Sequence, residues 1–444
     1  MNSSKTHKVP LNGADCMMLA FDHQMRRLGF AGNQAQIVLG LSGRLSASEL
    51  EARLQEIRAR FPMLAARIKR GLRPWNPCWH LPTANKQAYP RVRSHEPGDE
   101  HDLHRIRTDI LNHPLDTRGG ELLRFDLVHT KAGDTEVIMT WSHMLMDVSG
   151  AQYLLGIIGK SVQGADQYTQ ADLLFGSYTE RLPAGAKLPQ AGKSFARVDE
   201  LAACPPISLY TWDRRPVAPR FDYRVVSFSP GQTETILGLA EERGGFLNAS
   251  AFYIAAAMAQ FHQLLQARQI RSPGYVVPMS VDLRKKGTNL PVFTNQAATL
   301  LCGFAPDRLE DFGAVLEAFK QQTRAAVRRG LIESNTCAME LARFLPARMY
   351  AAKIRKAFAG EIASLVFANP GSAPAFLYEF MGHGVTSLQH VPTVVVPPGM
   401  GIVFYIFSDC LHISLVYVES LIATDEAESF LSAVGKQLLS GQGT

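Results

Sequence analysis

A chain of 444 residues with 46% hydrophobic and 19% charged side chains has a globular composition and exceeds what one hydrophobic core usually supports, so two domains of roughly 200 residues are expected. A net charge of +6 with no stripe of basic and aromatic residues argues against nucleic acid and favours an acidic partner, either a phosphate-bearing cofactor or an acidic carrier protein. Cys16, Cys78, Cys204, Cys302, Cys337 and Cys410 form no C-x-x-C pair, which argues against a zinc knuckle or a disulfide framework and fits a reducing compartment.

No run approaches the ~18 apolar residues that span a bilayer. Near the N-terminus, Asp15 and Asp22 bracket only a short apolar stretch, inadequate as a secretory h-region. A cytoplasmic location is expected.

In chain order, residues 36–41 read as a short apolar strand. Ser46 and Glu49 have capping-box spacing, and Leu50, Leu54, Ile57 and Phe61 form one helical face that Pro62 terminates. Residues 122–129 and 136–142 predict two strands joined by the turn Lys131-Ala-Gly-Asp134, with a helix from about 149 to 162. Between 164 and 221 the chain is rich in Pro, Gly and Ala, and the stretches 182–193 and 204–219 read as linker. A strand at 222–228 follows, then a helix opened by Ser229-Pro230 and ended at Gly244-Gly245. Residues 249–267 predict a helix apolar nearly all round, hence buried. A strand at 275–281, a helix at 309–329, a hairpin at 401–407 and 412–418 and a helix from about 425 complete an α+β chain. The expected division is a lobe at 1–165, a crossover at 166–221 and a second lobe at 222–444.

Chemistry concentrates at residues 136–155, E-V-I-M-T-W-S-H-M-L-M-D-V-S-G-A-Q-Y-L-L. A strand delivers His143 into a loop, Asp147 lies four residues on, and Gly150 opens the next helix. A histidine there can take a proton from an incoming hydroxyl or amine. Taken bare, H-x-x-x-D more often marks a satisfied core histidine than a base.

The segment resembles the H-H-x-x-x-D-G motif of the thioester-dependent acyltransferase superfamily, which includes nonribosomal-peptide condensation domains, wax-ester/diacylglycerol acyltransferases, BAHD enzymes and chloramphenicol acetyltransferase. Six further matches keep the family's order: P-L-N-G-A-D-C-M-M-L-A-F-D (10–22), R-F-P-M-L-A-A-R-I (60–68), H-P-L-D-T-R-G-G-E-L-L-R-F-D-L-V (113–128), V-V-P-M-S-V-D-L-R (276–284), P-V-F-T-N-Q (291–296) and F-A-N-P-G (367–371). The resemblance is to the condensation-domain and wax-ester-synthase branch, since the D-F-G-W-G motif of BAHD enzymes is absent.

The resemblance implies two chloramphenicol-acetyltransferase-like lobes, each a mixed sheet packed with helices, forming a V around a central tunnel. It implies that His143 activates an alcohol or amine acceptor for direct attack on a pantetheine thioester, coenzyme A or carrier protein, in specialised-metabolite or lipid biosynthesis. No cofactor would be permanently bound. Asp147 would be structural, with Arg284 its expected partner. Backbone donors near Gly150 are candidates for an oxyanion site, with a simple turn glycine the alternative, and Ser142 and Asn295 are candidate channel residues. Two departures stand out: Ser142 replaces the first motif histidine, and Val148 replaces the motif glycine, where a turn would suit glycine better than a β-branched residue. They keep open a catalytically degenerate domain that recruits partners.

His101 and His104 have a spacing that could hold a metal, but no third ligand cluster accompanies them, so a solvated face is expected. Basic groups at Arg284-Lys-Lys286, at Arg324, Arg328 and Arg329, and at 343–356 could meet phosphates or an acidic carrier, or be solvated helix faces. No P-loop, nucleophile elbow or dinucleotide-binding turn occurs.

Overall fold

A computed structural model describes residues 8–70, 77–82, 92–174, 184–212, 218–244, 248–285 and 287–441. Two six-stranded mixed sheets organise the chain. The first runs, in spatial order, Glu379–Phe380, His383–Pro392, Gln34–Leu41, Thr135–Ser142, Leu123–His129, Val92–His95. The second runs Ala297–Phe304, Tyr275–Asp282, Val366–Ser372, Met400–Phe407, Cys410–Val418, Phe221–Ser227. Strand Val366–Ser372 is parallel to both neighbours. A small three-stranded sheet joins Lys8–Pro10, Pro77–His80 and Arg67–Arg70. No helix of the described residues is long and apolar enough to cross a membrane.

Strand Gln34–Leu41 is buried at every position, as expected of a central strand covered on both faces. The C-terminal hairpin turns through Ser408 and Asp409, both at positive φ (49° and 58°), the backbone that a two-residue turn matching strand twist requires. Helix Asn248–Ala267 is buried through Ala251–Phe261 against Met400–Phe407 and Cys410–Val418 in the core of the second sheet.

The expected division needs two corrections. The crossover is not all irregular: Ala184–Ala202 is a helix, despite Pro189 inside it. It packs on helix Leu331–Ala342, where Ser334 Oγ donates to the Gln190 carbonyl at 2.6 Å. Packing outweighs the weak propensity. The second half also does not stay in its own sheet, because His383–Pro392 pairs antiparallel with Gln34–Leu41. The expected 309–329 helix opens with a 3-10 turn, Pro306–Glu310, before Phe312–Arg329. Of the sequence expectations, residues 182–183 and 213–217 of the linker stretches, Gly245 and Lys286 lie outside the described residues.

Candidate active site

Strand Thr135–Ser142 ends in a short loop whose Met144, Leu145 and Met146 are buried. Trp141 Nε1 donates to the Met146 carbonyl at 3.0 Å, and Leu145 N–H to the Ser142 carbonyl at 2.9 Å. His143 is the one partly exposed side chain of the loop. Its backbone N–H donates to the Asn33 carbonyl at 3.0 Å. Asn33 is in turn tied by its N–H to Asp22 Oδ1 of helix Gly13–Arg27, at 3.0 Å.

Asn295 fixes the ring. Its Nδ2 donates to Asp15 Oδ1 (2.9 Å) and to the His143 carbonyl (2.9 Å), and its backbone N–H also donates to Asp15 Oδ1 (2.8 Å). With the amide nitrogen committed to two acceptors, Oδ1 must be the atom 3.0 Å from His143 Nδ1. An amide oxygen only accepts, so Nδ1 carries the ring proton and Nε2 keeps its lone pair. A base needs that tautomer.

Asp15 is buried, and burial pushes its carboxyl up to about 7, against donors from Asn295 and Asn12 that pull it down. Asn12 and Asp15 form a capping box on helix Gly13–Arg27, and Asn12 Nδ2 reaches Thr294 Oγ1 at 2.7 Å. Gly13 is required by close approach: a Cβ there would lie 2.5 Å from the backbone of Met339 and Glu340.

Asp147 caps helix Val148–Ile158, accepting from the Gly150 N–H at 2.9 Å. Arg284 donates Nη1 to Asp147 Oδ2 and Nη2 to Asp147 Oδ1, both at 2.9 Å. The Gln296 N–H adds a bond to Oδ2 at 2.8 Å. The two side chains are 4% and 11% exposed. Arg284 Nη2 also reaches the Pro291 carbonyl at 3.0 Å, so one ion pair joins the motif loop to the segment carrying Asn295.

Gly150 is not placed as an oxyanion donor, since its N–H is committed to Asp147. A Cβ there would sit 2.5 Å from the Val292 carbonyl, so close approach sets the residue type. Ser142 is 1% exposed, and its Oγ has no hydrogen-bond partner among the described residues. Val148 is the first residue of its helix and is absent from the positive-φ residues, so a β-branched side chain meets no backbone strain there.

The structure gathers His143, Asn295, Asp147 and Arg284 at one junction and adds Asp15 and Asn12, which sequence reasoning did not assign to the site. The Asn12–Asp15 spacing was the available signal. Elsewhere, His104 lies on helix Glu100–Asn112 with its Nε2 3.0 Å from Asp222 Oδ1, while His101 is exposed. Arg329 pairs with Glu200 at 3.0 Å, and Arg324 and Arg328 are exposed.

No protein-family model and no curated protein matches the sequence. Solved structures do match the fold. The first condensation domain of the calcium-dependent antibiotic synthetase, in complex with a substrate analogue, is 17% identical at TM-score 0.66, with 99% of this chain and 97% of that one covered. The trichothecene 15-O-acetyltransferase TRI3 from Fusarium sporotrichioides is 13% identical at TM-score 0.70, with 100% and 96% covered. A starter condensation domain of rhizomide synthetase, in complex with C8-CoA, is 13% identical at TM-score 0.65, with 98% and 96% covered. The two-lobed fold implied by the resemblance is the fold observed.

Proposed function

We propose that this protein transfers an acyl group from a pantetheine thioester, of coenzyme A or of a carrier protein, to a hydroxyl or amine, giving an ester or amide. The observation that carries the reading is the Asn295 clamp, which leaves Nε2 of the partly exposed His143 as a proton acceptor with no hydrogen-bond partner among the described residues. The shared fold supports it, and one neighbour was solved with C8-CoA.

In this reading Nε2 takes the acceptor's proton as its oxygen or nitrogen attacks the thioester carbon. The tetrahedral intermediate expels the thiolate, which recovers the proton from Nε2–H. No acyl-enzyme forms. Asn295 Oδ1 keeps its hold on Nδ1–H throughout and stabilises the transient imidazolium by its dipole. Rate comes chiefly from positioning and proton transfer. Asp147 and Arg284 hold the loop and touch no reacting atom.

The test is turnover by mass spectrometry with an acyl-coenzyme A pool and with acyl-loaded carrier proteins. His143→Ala should lower it by about 10²–10⁴-fold with an unchanged circular dichroism spectrum. Full activity in His143→Ala would overturn the general-base role. Absence of turnover by the wild type with every donor would favour the recruitment module instead. Val148, one of the two grounds for that alternative, fits its helix without strain.

A further inference from the structure

Buried carboxylates on and around helix Gly13–Arg27 have arginine partners. Asp22 pairs with Arg26 at 3.0 Å, Glu340 with Arg343 at 2.7 Å and Asp147 with Arg284 at 2.9 Å. Asp15 differs. It is 4% exposed, and among the described residues no cation pairs with it. The strongest influences on it are burial, the N–H groups of Asn295 and Asn12, and the like charge of Asp147. A carboxylate buried without a cation is destabilising, and titratable groups held in that way concentrate where chemistry is done.

The hydrogen bonds of Asp15 lead to His143. Oδ2 meets the Asn12 N–H at 3.2 Å, while Oδ1 accepts both N–H groups of Asn295, at 2.8 Å from the backbone and 2.9 Å from the side chain. Asn295 Oδ1 is in turn 3.0 Å from His143 Nδ1. Carboxylate oxygen and ring nitrogen are therefore within about 8.5 Å of each other, joined by a single amide. Negative charge at the nitrogen side of an amide polarises it toward its oxygen, and hydrogen bonds in a chain strengthen one another. The Nδ1–H then faces a stronger acceptor, and the imidazolium formed when Nε2 takes a proton has a counter-charge. Asp147 supplies no such counter-charge, since Arg284 holds both of its oxygens.

We propose that Asp15 is a positioning residue for His143: through the Asn295 amide, its carboxylate holds the Nδ1–H tautomer and stabilises the imidazolium. No proton crosses the amide, and Asp15 touches no reacting atom. The proposal rests on the acyl-transfer reading for the reaction that it serves. The other charged groups around Asp15 are matched pairs. Asp147 is paired with Arg284, and Glu340 of helix Leu331–Ala342, which accepts the Gly13 N–H at 2.8 Å, is paired with Arg343.

Asp15→Asn and Asp15→Ser both remove the charge and keep a neutral acceptor, and a variant is read where its circular dichroism spectrum matches the wild type's. Turnover is compared at about pH 8, above the value of about 7 to which burial raises the carboxyl. A unit charge at such a distance in a protein interior shifts an equilibrium by about 30-fold, so kcat should fall by about tenfold with KM unchanged. Proton NMR of protein carrying isotope-labelled histidine reads the hydrogen bond without turnover. The Hδ1 resonance of His143, assigned by its loss in His143→Ala, should move upfield in either variant. A purely structural role would lower Tm and turnover together and leave that resonance in place. An unmoved resonance in a folded variant would overturn the proposal, as would an unchanged kcat where the wild type turns over. Loss of the fold in both variants would assign Asp15 to structure and overturn it too. A shifted resonance in a protein whose wild type transfers no acyl group would leave the Asp15–Asn295–His143 chain standing and overturn the acyl-transfer reading alone.

Discussion

Asp15 sets two physical effects against each other. Its carboxylate accepts three N–H groups, from Asn12, the Asn295 backbone and the Asn295 side chain. Burial outweighs them and raises the carboxyl from 3.8 to about 7. A folded-state pKa raised above the unfolded value contributes stability that is full below the unfolded pKa and is lost as pH rises through the folded one. The wild type should therefore lose Tm relative to Asp15→Asn progressively as pH rises from about 4 to about 7, with the difference levelling off above that. A pH-independent difference would mean that the three donors hold the carboxylate charged throughout. His143 was legible because a histidine at a strand end marks itself as a candidate base by residue type alone. Asp15 was not, because its importance comes from a contact with Asn295 across 280 positions of sequence.

Helix Val148–Ile158 depends on Asp147 twice, as its cap and as the anion that Arg284 pairs with. Removing one partner of a buried pair leaves the other charge uncompensated, at a cost of about 3–5 kcal/mol. Asp147→Asn should lower the urea midpoint and turnover together, whereas His143→Ala should lower turnover alone. An Asp147→Asn variant of unchanged midpoint would exclude the structural role. Elements with strong local signals were readable: strand Thr135–Ser142 from its apolar run, helix Ala47–Arg60 from its capping box, in which the Ser46 N–H donates to Glu49. Helix Ala184–Ala202 was not, since glycines and Pro189 disguise it and the surface it packs on is some 140 residues downstream. The oxyanion role considered for Gly150 failed for a similar reason. Its glycine answers to the Val292 carbonyl, a neighbour that local sequence does not reveal.

At the scale of the whole molecule the two sheets interlock. Strand His383–Pro392 completes the first sheet, and the chain then returns Val394 and Val396 to the core of the second. In the other direction, Met25, Phe30 and Leu111 from the first third of the chain lie in that second core. The sequence pattern predicted two halves because each has its own run of strands and helices. It could not show this exchange, since a strand's alternation does not say which sheet it joins. A lobe cut from its partner would expose Gln34–Leu41, buried at all its positions, as an open apolar edge. Neither lobe then has an independent folded state, and unfolding should be one cooperative event. Circular dichroism and tryptophan fluorescence should give coincident urea transitions; the fluorescence is weighted toward the first sheet by the buried Trp141. Two separated transitions would show that the strand exchange does not couple the halves.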